Sequence, residues 1–167
     1  MKGIIIYLFI IIIKGDFMIE KIMSKELIIG NITDTLYDIA VLMKKYDIGF
    51  IPIAKGKQIV GVITDRDIVI NAINNKAKPE ESIEQYMSIN LITINQNESI
   101  EKALDLMGFK KVKRLIVENH NQVVGILSIS DIIKDPDLSL EIFYNNIKKL
   151  LETFKNYEEL EIKEFYI

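Results

Sequence analysis

The chain has 167 residues, 49 % hydrophobic and 27 % charged, with a formal net charge of −3. That suits one compact domain or a pair of small repeats with a real core, and nothing in the balance recommends nucleic acid or an anionic membrane as partner. The absence of cysteine excludes disulfides and thiolate metal sites and fits a reducing, cytoplasmic setting, and the single histidine, His120, cannot by itself build a metal centre or a catalytic triad.

The chain begins with an apolar run over 4–13 between Lys2 and Lys14. In a helix, ten residues reach about 15 Å, roughly half of a bilayer's hydrocarbon core. The run could be the apolar part of an export signal, but Lys14-Gly15-Asp16-Phe17-Met18 offers no small-residue cleavage site. Those five residues can be encoded AAA GGA GAT TTT ATG, a purine-rich ribosome-binding sequence ahead of a start codon at Met18. Residues 1–17 are therefore read as an extension with a mis-assigned start, with an export or membrane segment and a real extra element as the other readings.

From Met18 the pattern predicts a short helix over Ile19 to Ser24 and an extended stretch at Leu27-Ile28-Ile29. Thr35 reads as an N-cap with Asp38 three residues on, and Leu36, Ile39, Ala40 and Met43 follow at helical spacing. Ile48 to Ala54 and Gln58 to Ile63 read as strands around the hairpin signal Lys55-Gly56-Lys57, and Asp65 to Asn74 as a second helix. A linker with Pro79 covers Asn74 to Glu81, and Ser82-Ile83-Glu84-Gln85 reads as a capping box.

Ser99 then starts a helix, Lys111 to Glu118 and Gln122 to Leu127 read as strands around a turn holding His120, and Asp131 opens a helix stopped at Asp135-Pro136. Beyond it, Phe143, Ile147, Leu150, Leu151 and Phe154 mark an amphipathic helix over the tail 137–167.

Two stretches organise this order. Gly61-Val62-Ile63-Thr64-Asp65-Arg66-Asp67 reads as a buried strand running into the first turn of a helix, with Thr64 and Asp67 on one side of that turn. Such a junction offers unpaired N–H groups to an anionic or polyhydroxyl ligand; equally, Thr64 and Asp67 could serve only as a cap. The pattern returns as Gly125-Ile126-Leu127-Ser128-Ile129-Ser130-Asp131, and Asp67 to Asp131 is a step of 64 residues. The same step carries Met23-Ser24 onto Met87-Ser88, Thr35 onto Ser99, Met43 onto Met107, and Ile51 and Ile53 onto Leu115 and Val117, without insertion. A gapless internal repeat argues for two copies of one supersecondary unit, each strand-helix-strand-strand-helix, an α+β class.

These residues resemble the tandem cystathionine-β-synthase-type (CBS) domain pair. The carriers are Ile22-Met23-Ser24, Thr35 to Met43, Ile48 to Ile53 and Gly61 to Ile68, and in the second copy Tyr86-Met87-Ser88, Ser99 to Met107, Val112 to Val117 and Gly125 to Ile132. Ile116 departs from the pattern, where the first copy has Pro52. The resemblance divides the chain into copies at 18–78 and 79–136, related by a pseudo-two-fold axis. It implies a stand-alone regulatory module sensing an adenosine compound (AMP, ADP, ATP, S-adenosylmethionine or a cyclic dinucleotide) in clefts that draw on both copies.

An ionised carboxylate can accept from both hydroxyls of a ribose, which is the use for Asp67 and Asp131. Thr64, Ser128 and Ser130 suit phosphate oxygens, strengthened by Arg66, Lys113 and Arg114. The resemblance places adenine against Ile48, Gly49 and Phe50 with Ile28, and against Val112 with Ile92. It also implies a homodimer and an effector protein not identified by the residues. A ligand-free scaffold is the alternative; an enzyme is the weakest reading, since no general base, nucleophile, metal cluster or separate cofactor site is evident.

Overall fold

The computed structural model describes residues 18–134. The apolar run over 4–13 and the amphipathic tail lie outside the described residues. In chain order the elements are α1 (Ile19–Ile22), β1 (Gly30–Asn31), α2 (Leu36–Tyr46), β2 (Phe50–Lys55), β3 (Gln58–Thr64) and α3 (Asp65–Asp67), which passes into a π-helical stretch (Ile68–Ile73). A 3₁₀ turn (Ile83–Gln85), β4 (Thr93–Asn95), α4 (Ile100–Lys110), β5 (Arg114–Asn119), β6 (Gln122–Ser128) and α5 (Ile129–Lys134) follow.

They form two compact units, one of residues 26–92 and one that joins 18–25 to 93–134. Each holds a three-stranded mixed sheet, β1-β2-β3 or β4-β5-β6, in which the first pair is parallel and the second antiparallel. The class is α+β, as the sequence predicts. The hairpins differ: Gly56 alone takes positive φ in the first loop, whereas His120 and Asn121 both do in the second. Both patterns suit two-residue connections between right-twisted strands.

Local chemistry sets the helix boundaries. Thr35 accepts from the Asp38 N–H at 3.2 Å while its own N–H donates to Asp38 Oδ2 at 3.0 Å, so two otherwise unpaired donors are satisfied at the start of α2. The same helix ends on Asp47 and α4 on Lys111, both left-handed, which delays the following strands to Phe50 and Arg114, later than the predicted Ile48 and Lys111. Ser82 accepts from Glu84 N–H at 3.3 Å, but Gln85 reaches instead to Glu81, so the predicted capping box is not made; a single 3₁₀ turn is too short for the reciprocal bond. The predicted extended stretch at Leu27-Ile28-Ile29 is displaced by a ladder that begins only at Gly30. The helix predicted from Asp131 already starts at Ile129.

The stretch read as a linker is hydrogen-bonded structure. Glu81 and Pro79 carbonyls accept the Leu36 and Tyr37 N–H groups at 3.0 and 2.9 Å, and the Tyr86 hydroxyl donates to Glu81 at 2.6 Å. That bond, followed by the one from Lys78 N–H, holds the Glu81 carboxyl below its ordinary value; its counterpart pushes Tyr86 up.

Short lead-in segments cross to the sheet of the opposite repeat. In the 26–92 unit, Ile83 N–H donates to Asp34 O at 3.1 Å, and Ser88 exchanges backbone bonds with Val62 at 2.8 and 2.9 Å. In the other unit, Ile19 N–H donates to Glu98 O at 3.2 Å, and Ser24 exchanges bonds with Ile126 at 2.9 and 3.0 Å. This explains the glycines: a Cβ at Gly61 would lie 2.9 Å from Ser88 O, and one at Gly125 2.9 Å from Ser24 O. Only glycine lets the lead-in backbone pass so close.

Leu36, Ile39, Ile51, Ile53, Ile63, Ala72 and Ile83 form the buried cluster of the 26–92 unit. Ile100, Met107, Leu115, Val117 and Leu127 are buried in the other. Each such isoleucine or leucine stabilises by about 1.5–3 kcal/mol relative to exposure. Among the described residues, no helix is long and apolar enough to cross a membrane.

Candidate functional site

At the end of β3, Thr64 is extended and caps α3. Its N–H and hydroxyl both donate to Asp67 Oδ2, at 2.9 and 2.7 Å, and its Oγ1 accepts from Asp67 N–H at 3.1 Å. At the end of β6 the same three bonds join Ser128 and Asp131, at 2.7, 2.6 and 3.2 Å. Both pairs are half-buried. In each carboxylate the second oxygen, Oδ1, accepts no hydrogen bond among the described residues. A carboxylate has about four lone-pair positions, so capping occupies one oxygen and leaves the other available.

Strand pairing decides what lies beside each cap. Phe50 is the cross-strand partner of Thr64, and Arg114 that of Ser128. Directly opposed residues present their side chains on the same face of a sheet. The backbone closes the corner: Asp65 N–H donates to Gly49 O at 3.2 Å, and Ile129 N–H to Lys113 O at 3.1 Å. The structure therefore gathers Gly49, Phe50, Thr64 and Asp67 in one unit, and Lys113, Arg114, Ser128 and Asp131 in the other.

Ile48 and Val112 spend their N–H groups on the helix ends, donating to Met43 O and Met107 O at 3.0 Å each. Their half-buried side chains remain next to the junctions in sequence. Arg66 and Ser130, one residue before the aspartates, are exposed. Ile28 lies two residues before β1; Ile92 immediately precedes β4 and falls in the unit of 26–92, whereas Val112 falls in the other.

Asp65 is a residue that sequence reasoning passed over. Its Oδ1 accepts from Arg66 N–H at 2.8 Å, and a Cβ at Gly49 would lie 2.6 Å from its Oδ2, so the carboxylate occupies the space above that glycine. The signal was in the repeat itself, where the matching position is the neutral Ile129. Among the described residues, no group of histidine, cysteine, aspartate and glutamate could hold a metal ion.

A family model described as the CBS domain matches residues 19–73 and 83–136. The CBS domain-containing protein YhcV of Bacillus subtilis is 28 % identical over 114 residues, covering 68 % of this chain and 81 % of that protein. A conserved protein of Pyrococcus horikoshii has a solved structure with TM-score 0.68 and 26 % identity, covering 71 % of this chain and 91 % of that one. The CBS domain pair of protein MJ0100, solved in complex with 5-methylthioadenosine and S-adenosyl-L-methionine, matches with TM-score 0.63 and 26 % identity, covering 70 % of this chain and 93 % of that one.

Proposed function

Because the chain belongs to the CBS-domain family, with two such domains in tandem, we propose that it is a regulatory module that binds an adenosine-containing nucleotide at the β3–α3 and β6–α5 junctions. The observation that carries this reading is the cap made twice, with one carboxylate oxygen committed and the other available. The cap fixes the rotamer of Asp67 and Asp131, so Oδ1 is pre-oriented to accept ribose hydroxyls with little further loss of side-chain freedom. Thr64, Ser128 and Ser130, with Arg66, Lys113 and Arg114, meet phosphates; Ile28, Ile48, Gly49 and Phe50 meet adenine at the first junction, and Val112 at the second. The structural neighbour with bound adenosine compounds lends this support.

The cap bonds themselves favour the second reading, a ligand-free scaffold in which the aspartates only start helices. A thermal-shift screen with AMP, ADP, ATP and S-adenosylmethionine separates the two. Ligand at about 100 times its Kd stabilises the folded state by roughly 2.7 kcal/mol, and no shift with any of them favours the scaffold.

CBS pairs are generally regulatory, and this module passes its ligand state to an effector protein rather than catalysing a reaction itself. It works as a homodimer in the cytoplasm. Tyr37 and Val41 on α2, with Val69, Ile70 and Ile73 after α3, are large apolar side chains exposed in the 26–92 unit, which supports self-association. A monomeric mass in light scattering at micromolar concentration removes that part of the proposal.

A further inference from the structure

The helices of the 26–92 unit carry apolar residues on both sides. α2 and the π-helical stretch turn Leu36, Ile39 and Ala72 towards Ile51, Ile53 and Ile63 on one face of the sheet. Three strands span about 10 Å between their outer axes, the spacing of two packed helices, so the two lie side by side. Their outward sides carry Tyr37 and Val41, and Val69, Ile70 and Ile73, with Tyr37 63 % and Ile73 62 % exposed. Large apolar side chains gathered on one helical layer mark a surface that another surface covers. The repeat shows that the fold does not require them. A step of 64 residues takes Tyr37 to Glu101, Val41 to Asp105 and Ile70 to Lys134, all three exposed, and only Val69 keeps an apolar match, in Ile133. The same scaffold therefore presents a largely apolar helical face in one copy and a largely charged one in the other.

Charge decides which surface fits the apolar face. Val41 lies midway along the outward side of α2, with Tyr37 and Asp38 one turn before it and Lys44 and Lys45 one turn after. A second copy of α2, laid antiparallel about a two-fold axis at Val41, sets Asp38 opposite Lys45 and Tyr37 opposite Lys44, each twice over. A parallel copy would set every one of these charges against its own image. Among the described residues Lys44 forms no hydrogen bond or ion pair, and Asp38 commits only Oδ2, to the Thr35 cap. The face of the other unit fails the same test. About the matching axis Asp105 would meet its own image, and Lys102, which stands where the first copy has Asp38, is already bound to Glu98 at 2.6 Å. Laid on the first face instead, it would bury the Asp105 carboxylate against apolar side chains.

We propose that two copies of this chain pair through the helical face of the 26–92 unit alone, α2 antiparallel to α2 about Val41, and that the matching face of the other unit takes no part. This inference rests on the homodimer reading and names its surface and orientation. The π-helical stretch follows Asp67 directly, so the interface begins within a turn of the first junction.

The experiment uses the full chain, which has no cysteine, so that a single introduced thiol reports how near it lies to its own image. On mild oxidation Val41→Cys is expected to give a disulfide-linked dimer, whereas Asp105→Cys, at the matching position, is expected to stay unlinked. In sedimentation velocity, Val41→Asp, which installs the second copy's residue, is expected to weaken the dimer by about tenfold or more. Lys45→Glu is expected to weaken it by about threefold at low salt and by less at high salt, and Asp105→Val to leave it unchanged. Equal cross-linking at 41 and 105, wild-type dimerisation of Val41→Asp, or no effect of Lys45→Glu at any salt would overturn the assignment. A dimer that Val41→Cys does not cross-link has another occupant on this face, the tail stripe from Phe143 to Phe154 among them, and overturns it too. A wild type that is monomeric at micromolar concentration is a different failure, that of the homodimer reading itself.

Discussion

The unit of residues 26–92 and the unit that joins 18–25 to 93–134 are built by one 64-residue repeat and kept alike where backbone geometry is at stake. Cap, bulge position, left-handed helix end and close-passing glycine all recur: Thr64 with Ser128, Ala54 with Glu118, Asp47 with Lys111, Gly61 with Gly125. The two part company at positions beside the junctions, where Gly49, Phe50, Asp65 and Arg66 of the first copy are matched in the repeat by Lys113, Arg114, Ile129 and Ser130 of the second. Residues that shape the chain, the hydroxyl and carboxylate of each cap among them, are thus held in common, and their neighbours on the adjoining strand and first helical turn are varied.

If the scaffolds are equivalent, truncating matched core residues should cost the same. Ile51 and Leu115 are both fully buried, and each change to alanine is expected to destabilise by about 2–5 kcal/mol in urea denaturation. A cost confined to one of them would break the comparison at its base. A smaller loss, about 1–3 kcal/mol, is expected for Gly61→Ala and for Gly125→Ala, because the new methyl group meets a lead-in carbonyl at 2.9 Å in either unit. Gly56→Asn serves as the contrast: its site is open, its φ is +63°, and asparagine tolerates that conformation, so the melting temperature should hardly move.

Next come the caps. Thr64→Ala and Ser128→Ala each remove the acceptor for an aspartate N–H and one donor to its carboxylate, and should cost about 1 kcal/mol apiece in denaturant midpoint. A cost at one junction alone would mean that the shared geometry hides unequal work.

The smallest effect belongs to Tyr86, whose place in the first lead-in is taken by Ile22. Its hydroxyl is the main reason the Glu81 carboxyl lies below 4.5. A depressed carboxyl contributes stability that is present above its ordinary value and is lost as pH falls through the folded one. Tyr86 itself, raised above 10.0 chiefly by the same bond, contributes stability that is lost as pH rises through its folded value. Tyr86→Phe should therefore flatten both the acid and the alkaline limb of the stability profile. A profile of unchanged shape would show the bond to be idle.

Most of the fold was legible because the repeat is gapless and several of its helices open on hydroxyl and carboxylate residues three apart, as Thr35 with Asp38 and Thr64 with Asp67 show. Two things were hidden for physical reasons. The crossing of Met23-Ser24 and Met87-Ser88 to opposite sheets is a long-range pairing, and its only local trace is a glycine at 125 and at 61 that also reads as ordinary strand punctuation. At the site, the pairing of hydroxyl and carboxylate was visible; that one oxygen caps while the other stays available was not, since spacing places both residues on one turn without choosing an oxygen. Asp65 escaped notice because an aspartate in the first turn of a helix is explained well enough by the dipole.

The central claim is that Asp67 and Asp131 bind ribose as well as start helices, and it is tested most directly by replacing both with asparagine. Asn keeps an oxygen for the Thr64 and Ser128 donors and removes the charge that a hydroxyl pair would use. In calorimetric titrations with ATP and adenosine, Asp67→Asn combined with Asp131→Asn should lose about 10- to 100-fold in affinity while melting in a single cooperative transition. Unchanged affinity for both compounds in a cooperatively folded double variant would contradict the account and leave the two carboxylates as helix caps.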